Sequence, residues 1–250
     1  MASSQGESFA RYEKKFLLSQ EQYRRLSEQL EGHVCPDRYG SYPVCSGYYD
    51  TPDYRLIRAS LEKPIYKEKL RVRYYGVPQA SDPVFVEIKK KYRGIVYKRR
   101  TVMPAETAPA YLAGQLPTPE TGQIQREIER FRDFYRPEPK LYLAYDREAM
   151  TGLTEPELRI TFDRNIRWRT ERPDLLAGSS GTPLLSDDTV LMELKVPAAV
   201  PLWLARLLST NGIRPASFSK YGTCFREYLL PGFIQSVTED FTHVSVHHSR

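Results

Sequence analysis

The segment EKLRVRYYG, residues 68–76, most constrains what this chain can fold into. Side chains on a β-strand point alternately to opposite faces. As a strand, the segment places Leu70, Val72 and Tyr74 on one side and Lys69, Arg71 and Arg73 on the other. The first side calls for a core. The second repels itself and calls for water or an anion. The same division recurs along the chain. VFVEIKKKY separates Val84, Val86 and Ile88 from Phe85, Glu87, Lys89 and Lys91; TVLMELKVP separates Val190, Met192 and Leu194 from Leu191, Glu193 and Lys195. LRITFDRN sets Leu158, Ile160 and Phe162 against Arg159, Thr161 and Asp163, and Lys98 shares a face with Arg100. Glu13, Glu87 and Glu193 each stand two residues before a lysine on their own face.

Any one of these strands fits an antiparallel sheet with a dry and a wet face. As a set they do not, because a solvated face mixes charge signs and neutral polar groups, and like charges across strands destabilise a sheet. If the sheet closes into a barrel, the cationic faces share one lumen. Unpaired buried charges are too costly for that lumen to be a dry core. Many cations with a few carboxylates suit a phosphate chain and a divalent metal.

Other elements surround these strands. A strand over 9–19 runs into a helix, SQEQYRRLSEQL, with Ser19 as N-cap, Gln22 completing a capping box and Gly32 closing it. A strand over 42–53 ends in a turn at Thr51-Pro52-Asp53, where Asp50 reads as a cap, and a short helix follows over 54–62. A hairpin over 81–103 turns at Tyr92-Arg93-Gly94. Helical spacing appears near 104–113, over 119–137 and over 201–212, where Trp203 and Leu204 read as core. Strands are expected over 139–150, 158–169 and 189–197, and a loop over 170–189. Residues 217–229 show no clear period, and Asp163 with Arg164 reads as a structural ion pair. With no repeat or linker, one domain is expected over 1–230, with a C-terminal tail over 231–250.

Lys and Arg number 37 against 31 Asp and Glu, a formal net charge of +6 that favours an anionic partner. Cys35, Cys45 and Cys224 form no CxxC or zinc pattern and suit a reducing cytoplasm. No apolar run reaches the ~20 residues of a membrane helix, so a soluble chain is expected unless another chain tethers it. Tyrosines beside arginines suit stacked bases, but strict alternation and shared carboxylates argue against a nucleic-acid groove. No Walker A or kinase motif set occurs, and His33, His243, His247 and His248 lie outside the charged strands.

RYEKKF, YYDTPD, KLRVRYYG, VFVEIKKK, YDRE, LMELKVP, PLWLARLL and SFSKYG occur in this order over residues 9–229. As an ordered set they resemble the vacuolar transporter chaperone (VTC) catalytic domain. That is the polyphosphate polymerase domain of the triphosphate tunnel metalloenzyme (CYTH-like) superfamily. The resemblance implies an α+β fold: a closed antiparallel eight-stranded β tunnel with surrounding helices. It implies a phosphotransferase that moves the γ-phosphate of ATP onto a growing inorganic polyphosphate, with Mn²⁺ or Mg²⁺ as cofactor. By position it makes Lys69, Arg71, Arg73, Lys89, Lys98 and Arg147 catalytic phosphate contacts. Lys15, Lys195, Ser219 and Lys220 become further phosphate contacts, Lys91 another basic tunnel residue, and Tyr145 a neighbour of the nucleotide base. Glu193 falls on the metal carboxylate; Glu87 is either a second ligand or a counter-ion to Lys89 or Arg71.

Two departures stand out. Hydrolase members of the superfamily open with Glu-x-Glu-x-Lys; Arg11-x-Glu13-x-Lys15 here favours the polymerase branch. Ser217 stands where the polymerases have a further lysine, which implies a weaker basic exit. Two other readings stay open: a tunnel triphosphatase acting on inorganic or nucleoside triphosphate, and a non-catalytic polyphosphate-binding module.

Overall fold

The computed structural model describes residues 12–93, 95–116 and 122–235. Arg11, Gly94, the first residues of the 119–137 segment and His243, His247 and His248 lie outside the described residues.

Strand β1 (Tyr12–Ser19) runs directly into α1 (Gln20–Leu30). The expected capping box is there: the Gln22 N–H donates to Ser19 Oγ, and the Ser19 N–H to Gln22 Oε1, each at 3.1 Å. Gly32 then adopts φ +76°, a left-handed conformation that lets the chain reverse into β2 (Val34–Asp50). β2 starts well before the predicted 42, because its first half pairs with β6 alone and carries Pro36 and Gly40. Asp50 ends it. Its carboxylate accepts from the N–H groups of Thr51, Leu56 and Ile57 at 2.8, 2.8 and 3.0 Å, which seeds α2 (Arg55–Leu61).

A meander follows: β3 (Tyr66–Tyr75), β4 (Pro83–Tyr92) and β5 (Ile95–Pro104). Helices α3 (Ala108–Leu112) and α4 (Gln123–Tyr135) lead into β6 (Glu138–Gly152) and β7 (Arg159–Arg169). The expected loop contains a 3₁₀ turn, Leu175–Ala177, and the two-residue β8 (Thr182–Pro183), which pairs with β7. Then come β9 (Thr189–Val196), α5 (Leu202–Thr210) and α6 (Lys220–Cys224). A π-helical turn over Phe225–Leu229 extends α6, and helix continues to 235. No helix among the described residues is long and apolar enough to cross a membrane.

The strands form one antiparallel sheet in the order β1-β9-β7-β6-β2-β3-β4-β5, with helices against it. The α+β tunnel architecture holds, with one correction. Among the described residues hydrogen bonds do not close the sheet, since β1 and β5 end the path unpaired with each other. The outer edge of β1 is already taken: the Ala216 N–H donates to the Lys15 carbonyl at 2.7 Å, and Pro215 bridges Phe16. Pro215, with no N–H of its own, cannot carry that pairing further.

Packing follows the alternation. Leu70, Val72, Val86 and Ile88 form the outer face of β3 and β4 and pack with Tyr111 and Leu112 of α3 and Ile128 and Phe131 of α4. Phe16, Ile160, Phe162, Met192 and Leu194 pack with Leu26 and Leu30 of α1 and Leu204 and Leu208 of α5. Each fully buried Leu, Ile or Phe contributes roughly 1.5–3 kcal/mol. A third cluster lies on the inner face. There Val44, Tyr48, Leu141, Leu143 and Leu191 pack against Tyr221, Cys224 and Phe225, so α6 plugs part of the interior.

Candidate functional site: a cation-walled lumen

Register carries the cationic faces across neighbouring strands. Lys69 stands opposite Lys89, which stands opposite Lys98; Arg71 stands opposite Glu87, which stands opposite Arg100. Three lysines in one row repel one another. Glu87, only 1% exposed, relieves the adjacent row: it meets Arg71 Nη2 at 2.8 Å and Lys98 Nζ at 2.5 Å. Burial pushes its carboxyl up, but Arg71, Arg73 and Lys98 outweigh that and hold it at about 2. Within the lysine row Lys98 has that ion pair, and among the described residues Lys69 and Lys89 have none. Burial pulls the Lys69 ammonium down to about 8, with help from Lys67, Lys89 and Lys15. Burial likewise lowers Lys89, where the Glu13 charge opposes it and Arg71, Lys15 and Lys195 add to it.

The opposite wall is built by β6, β7, β9 and β1. Arg147 grips Asp163, its cross-strand partner, at two points, Nε–Oδ1 2.6 Å and Nη2–Oδ2 2.8 Å, and reaches Glu193 Oε2 at 3.3 Å. Glu193 lies between Thr161 and Lys15 in register and meets Lys15 Nζ at 3.3 Å. Glu13 touches the same ammonium at 3.5 Å. Burial pushes the Glu193 carboxyl up, yet Lys220, Lys15, Arg147 and Lys195 drive it well below the usual carboxylate range.

Helix α6 supplies the last cation. Lys220 Nζ donates to Asp163 Oδ2 at 2.6 Å, meets Glu193 Oε1 at 3.5 Å and sits 4.2 Å from the centre of the Tyr145 ring. Two anchors fix it. Ser219 Oγ accepts from the Gly222 N–H at 3.2 Å, and the Tyr221 hydroxyl donates to Asp50 Oδ2 at 2.9 Å. Asp50 thus caps the turn, as expected, and also holds α6.

Lys15, Tyr48, Lys69, Arg71, Arg73 and Lys89 line one cavity of about 160 Å³ together with Glu13, Tyr145, Arg147, Glu193, Lys195, Ser219, Lys220 and Tyr221. Most of the expected site residues therefore converge. Glu87 and Lys98 stand in the wall beside the cavity, and Lys91 lies on the same β4 face one step past Lys89, opposite Lys67. Tyr145 is buried, with Arg73 donating to its hydroxyl at 3.2 Å and Arg147 5.0 Å from its ring centre. A larger depression of about 500 Å³ runs along α1, but Glu21, Arg24 and Glu28 there are exposed and pair among themselves.

Two residues of this site were not read as such from the sequence. Asp163 does not pair with Arg164, since adjacent strand residues point to opposite faces; Arg164 pairs with Glu148 instead. Wholly buried Asp163 holds Arg147 and Lys220 together. Tyr48 stands opposite Arg71 in register. Burial raises its hydroxyl, and Arg71, Arg73 and Lys69 bring it down to about 8. The signal for Tyr48 was the alternation Ser46-Tyr48 in β2, which continues the inner face.

An antiparallel sheet with helices on its apolar face and cations around its lumen defines an α+β tunnel protein. The sequence matches the VTC domain family over residues 10–228, and the chain belongs to that family. No curated protein matches it in sequence. Among solved structures it is similar to the PH1819 protein of Pyrococcus horikoshii, at 12% identity and TM-score 0.44 over 87% of this chain and 98% of that one. The PH1012 protein of the same organism is similar at 15% identity and TM-score 0.40 over 83% and 96%. The mimivirus capping enzyme triphosphatase is similar at 13% identity and TM-score 0.35 over 83% and 89%.

Proposed function

We propose that the chain is a polyphosphate polymerase that transfers the γ-phosphate of ATP, with a divalent metal, onto a growing inorganic polyphosphate. The observation that carries this reading is the lumen. Five strands and α6 turn Lys15, Lys69, Arg71, Arg73, Lys89, Arg147, Lys195 and Lys220 onto one inner surface, and its carboxylates Glu13 and Glu193 lie beside Lys15. Phosphoryl transfer depends on alignment and charge neutralisation rather than on a protein nucleophile. Lys69, Arg71, Arg73 and Lys89 hold the phosphates extended along one wall. Arg147, fixed by its two-point contact with Asp163, and Lys220, fixed through Tyr221 and Asp50, face them from the other. The acceptor is the terminal phosphate of the chain, already anionic, so no general base is needed.

The donor set suits Mn²⁺ or Mg²⁺ at Glu193 and Glu13. Their oxygens already flank one cation, the Lys15 ammonium, at 3.3 and 3.5 Å. Among the described residues no group of three or more His, Cys, Asp or Glu is placed to hold a metal. Two carboxylates suffice for a hard cation that completes its shell with phosphate oxygens. Bound there, the ion would neutralise charge on the phosphates. Glu87, enclosed by Arg71 and Lys98, is the wall's counter-ion. The free thiols Cys35, Cys45 and Cys224 support a reducing, cytoplasmic setting.

The test is incubation with ATP and Mn²⁺, with products resolved by length. Polyphosphate longer than the substrate's own phosphates is expected. Orthophosphate alone would make the chain a triphosphatase, and polyphosphate binding without either product would make it a binding module.

A further inference from the structure

We infer that an aromatic collar at one end of the lumen, Tyr42, Tyr75 and Phe85, holds the base of the nucleoside triphosphate. This rests on the reading above that such a nucleotide is the phosphoryl donor. The alternation that places Lys69, Arg71 and Arg73 on the inner face of β3 places Tyr75 there as well. Phe85 is the cross-strand partner of Arg73, and Tyr42 is the cross-strand partner of Arg147. The collar is therefore in register with Arg73 and Arg147, the two arginines that flank Tyr145.

The rings form a chain. Tyr42 and Tyr75 are 6.4 Å apart between centres at 66°, and Tyr75 and Phe85 are 6.0 Å apart at 70°. Each edge-to-face contact sets the edge of one ring on one face of the other and leaves the opposite face of that ring to another partner. Tyr75 is 42% exposed, and Tyr42 and Phe85 are half-buried. Arg100 lies 4.5 Å from the Phe85 ring centre and adds a guanidinium plane. On the outer face Phe16 and Phe162 are buried against α1 and α5. The three collar rings point inward without being core, where a sheet of this design has charged groups.

Tyr145, the residue expected near the base, is poorly placed to stack. Lys220 Nζ lies 4.2 Å and the Arg147 guanidinium 5.0 Å from its ring centre, and the residue is buried. Its surroundings suit phosphate. With the base on the collar, the α-phosphate falls beside Arg73 and Arg147, and the β- and γ-phosphates run inward toward Lys69, Lys89 and Lys15. The collar thus distinguishes a nucleotide from a bare phosphate chain: both use the cations, and only the nucleotide uses the rings.

The experiment compares two probes, ATP and inorganic tripolyphosphate, by calorimetric titration with EDTA present so that neither turns over. Stacking on one aromatic side chain accounts for roughly a tenfold change in affinity. Tyr75→Ala and Phe85→Ala are each expected to weaken ATP about tenfold and to leave tripolyphosphate unchanged, with Tyr75→Phe restoring ATP binding. A purely structural role would weaken both probes together, and that result overturns the inference, as does unchanged ATP binding in both alanine variants. If the unaltered protein binds neither probe with EDTA, and neither again with Ca²⁺ in its place, the polymerase reading falls and takes the collar with it. If it binds both and the variants change nothing, only the collar falls.

Discussion

Replacing Glu87 by Gln removes the one carboxylate set within the cationic wall of β3, β4 and β5. The carboxylate is 1% exposed, with Arg71 at 2.8 Å and Lys98 at 2.5 Å. Its folded-state pKa is about 2 against an ordinary 4.5, after burial has pushed it up and the cations have pulled it further down. At about 1.4 kcal/mol per pKa unit, the charged form contributes about 3 kcal/mol. Because the folded pKa is depressed, that contribution is complete above pH 4.5 and disappears as the pH falls through about 2. Glu87→Gln should therefore lower the thermal midpoint at pH 7 by roughly 5–10 °C for a chain of this size, with the gap to the unaltered protein narrowing below pH 4.5. Tripolyphosphate should then stabilise the variant more than the unaltered protein, since the anion supplies the charge that Arg71 and Lys98 have lost. Thermal melts with and without tripolyphosphate measure both effects. An unchanged midpoint at pH 7, or equal ligand-induced shifts in the two proteins, would refute the argument. Loss of metal dependence in Glu87→Gln would return Glu87 to the metal site.

Other outcomes follow from the same geometry. Glu193→Ala should abolish metal-dependent turnover of ATP while the protein stays folded by circular dichroism; full metal-dependent activity would remove Glu193 from the metal site. Lys69, held at about 8, loses its charge as the pH rises past that value, and Tyr48, also at about 8, gains a negative one. Tripolyphosphate affinity should thus fall by about tenfold per pH unit or more above pH 8, by titration at fixed ionic strength, and Lys69→Met should flatten that slope. Asp50→Asn replaces a carboxylate that accepts from three backbone N–H groups and the Tyr221 hydroxyl. It should cost about 1–3 kcal/mol in urea unfolding and weaken tripolyphosphate binding through Lys220, whereas Asp53→Asn, on the exposed side of the same turn, should do neither.

What the sequence disclosed was local. A period of two places Lys69, Arg71 and Arg73 opposite Leu70 and Val72 whatever the rest of the chain does, and the helices do cover the apolar side. Ser19 and Gln22 lie three residues apart, and their capping box was legible for the same reason. What escaped depended on distant pieces of chain meeting. Asp163 finds its partners 16 and 57 residues away, in Arg147 and Lys220. Residues 217–229 have no clean period because two different surroundings act on them: Lys220 and Tyr221 face the charged lumen, while Cys224 and Phe225 fill its apolar end. Closure of the sheet was equally out of reach, since the edge of β1 is taken by Pro215 and Ala216 from the far end of the domain. Tyr75 was inside the most informative stretch of all, yet its importance rests on Tyr42 and Phe85 being brought beside it.

The most direct measurement is a crystal structure with tripolyphosphate. Its phosphates should lie in a line between Lys69, Arg71, Arg73 and Lys89 on one wall and Lys15, Arg147 and Lys220 on the other, with oxygens within hydrogen-bonding distance of each wall. Tripolyphosphate bound only on the outer surface, or Arg71 and Arg73 turned away from it, would contradict the claim that the cationic strand faces exist to hold a phosphate chain.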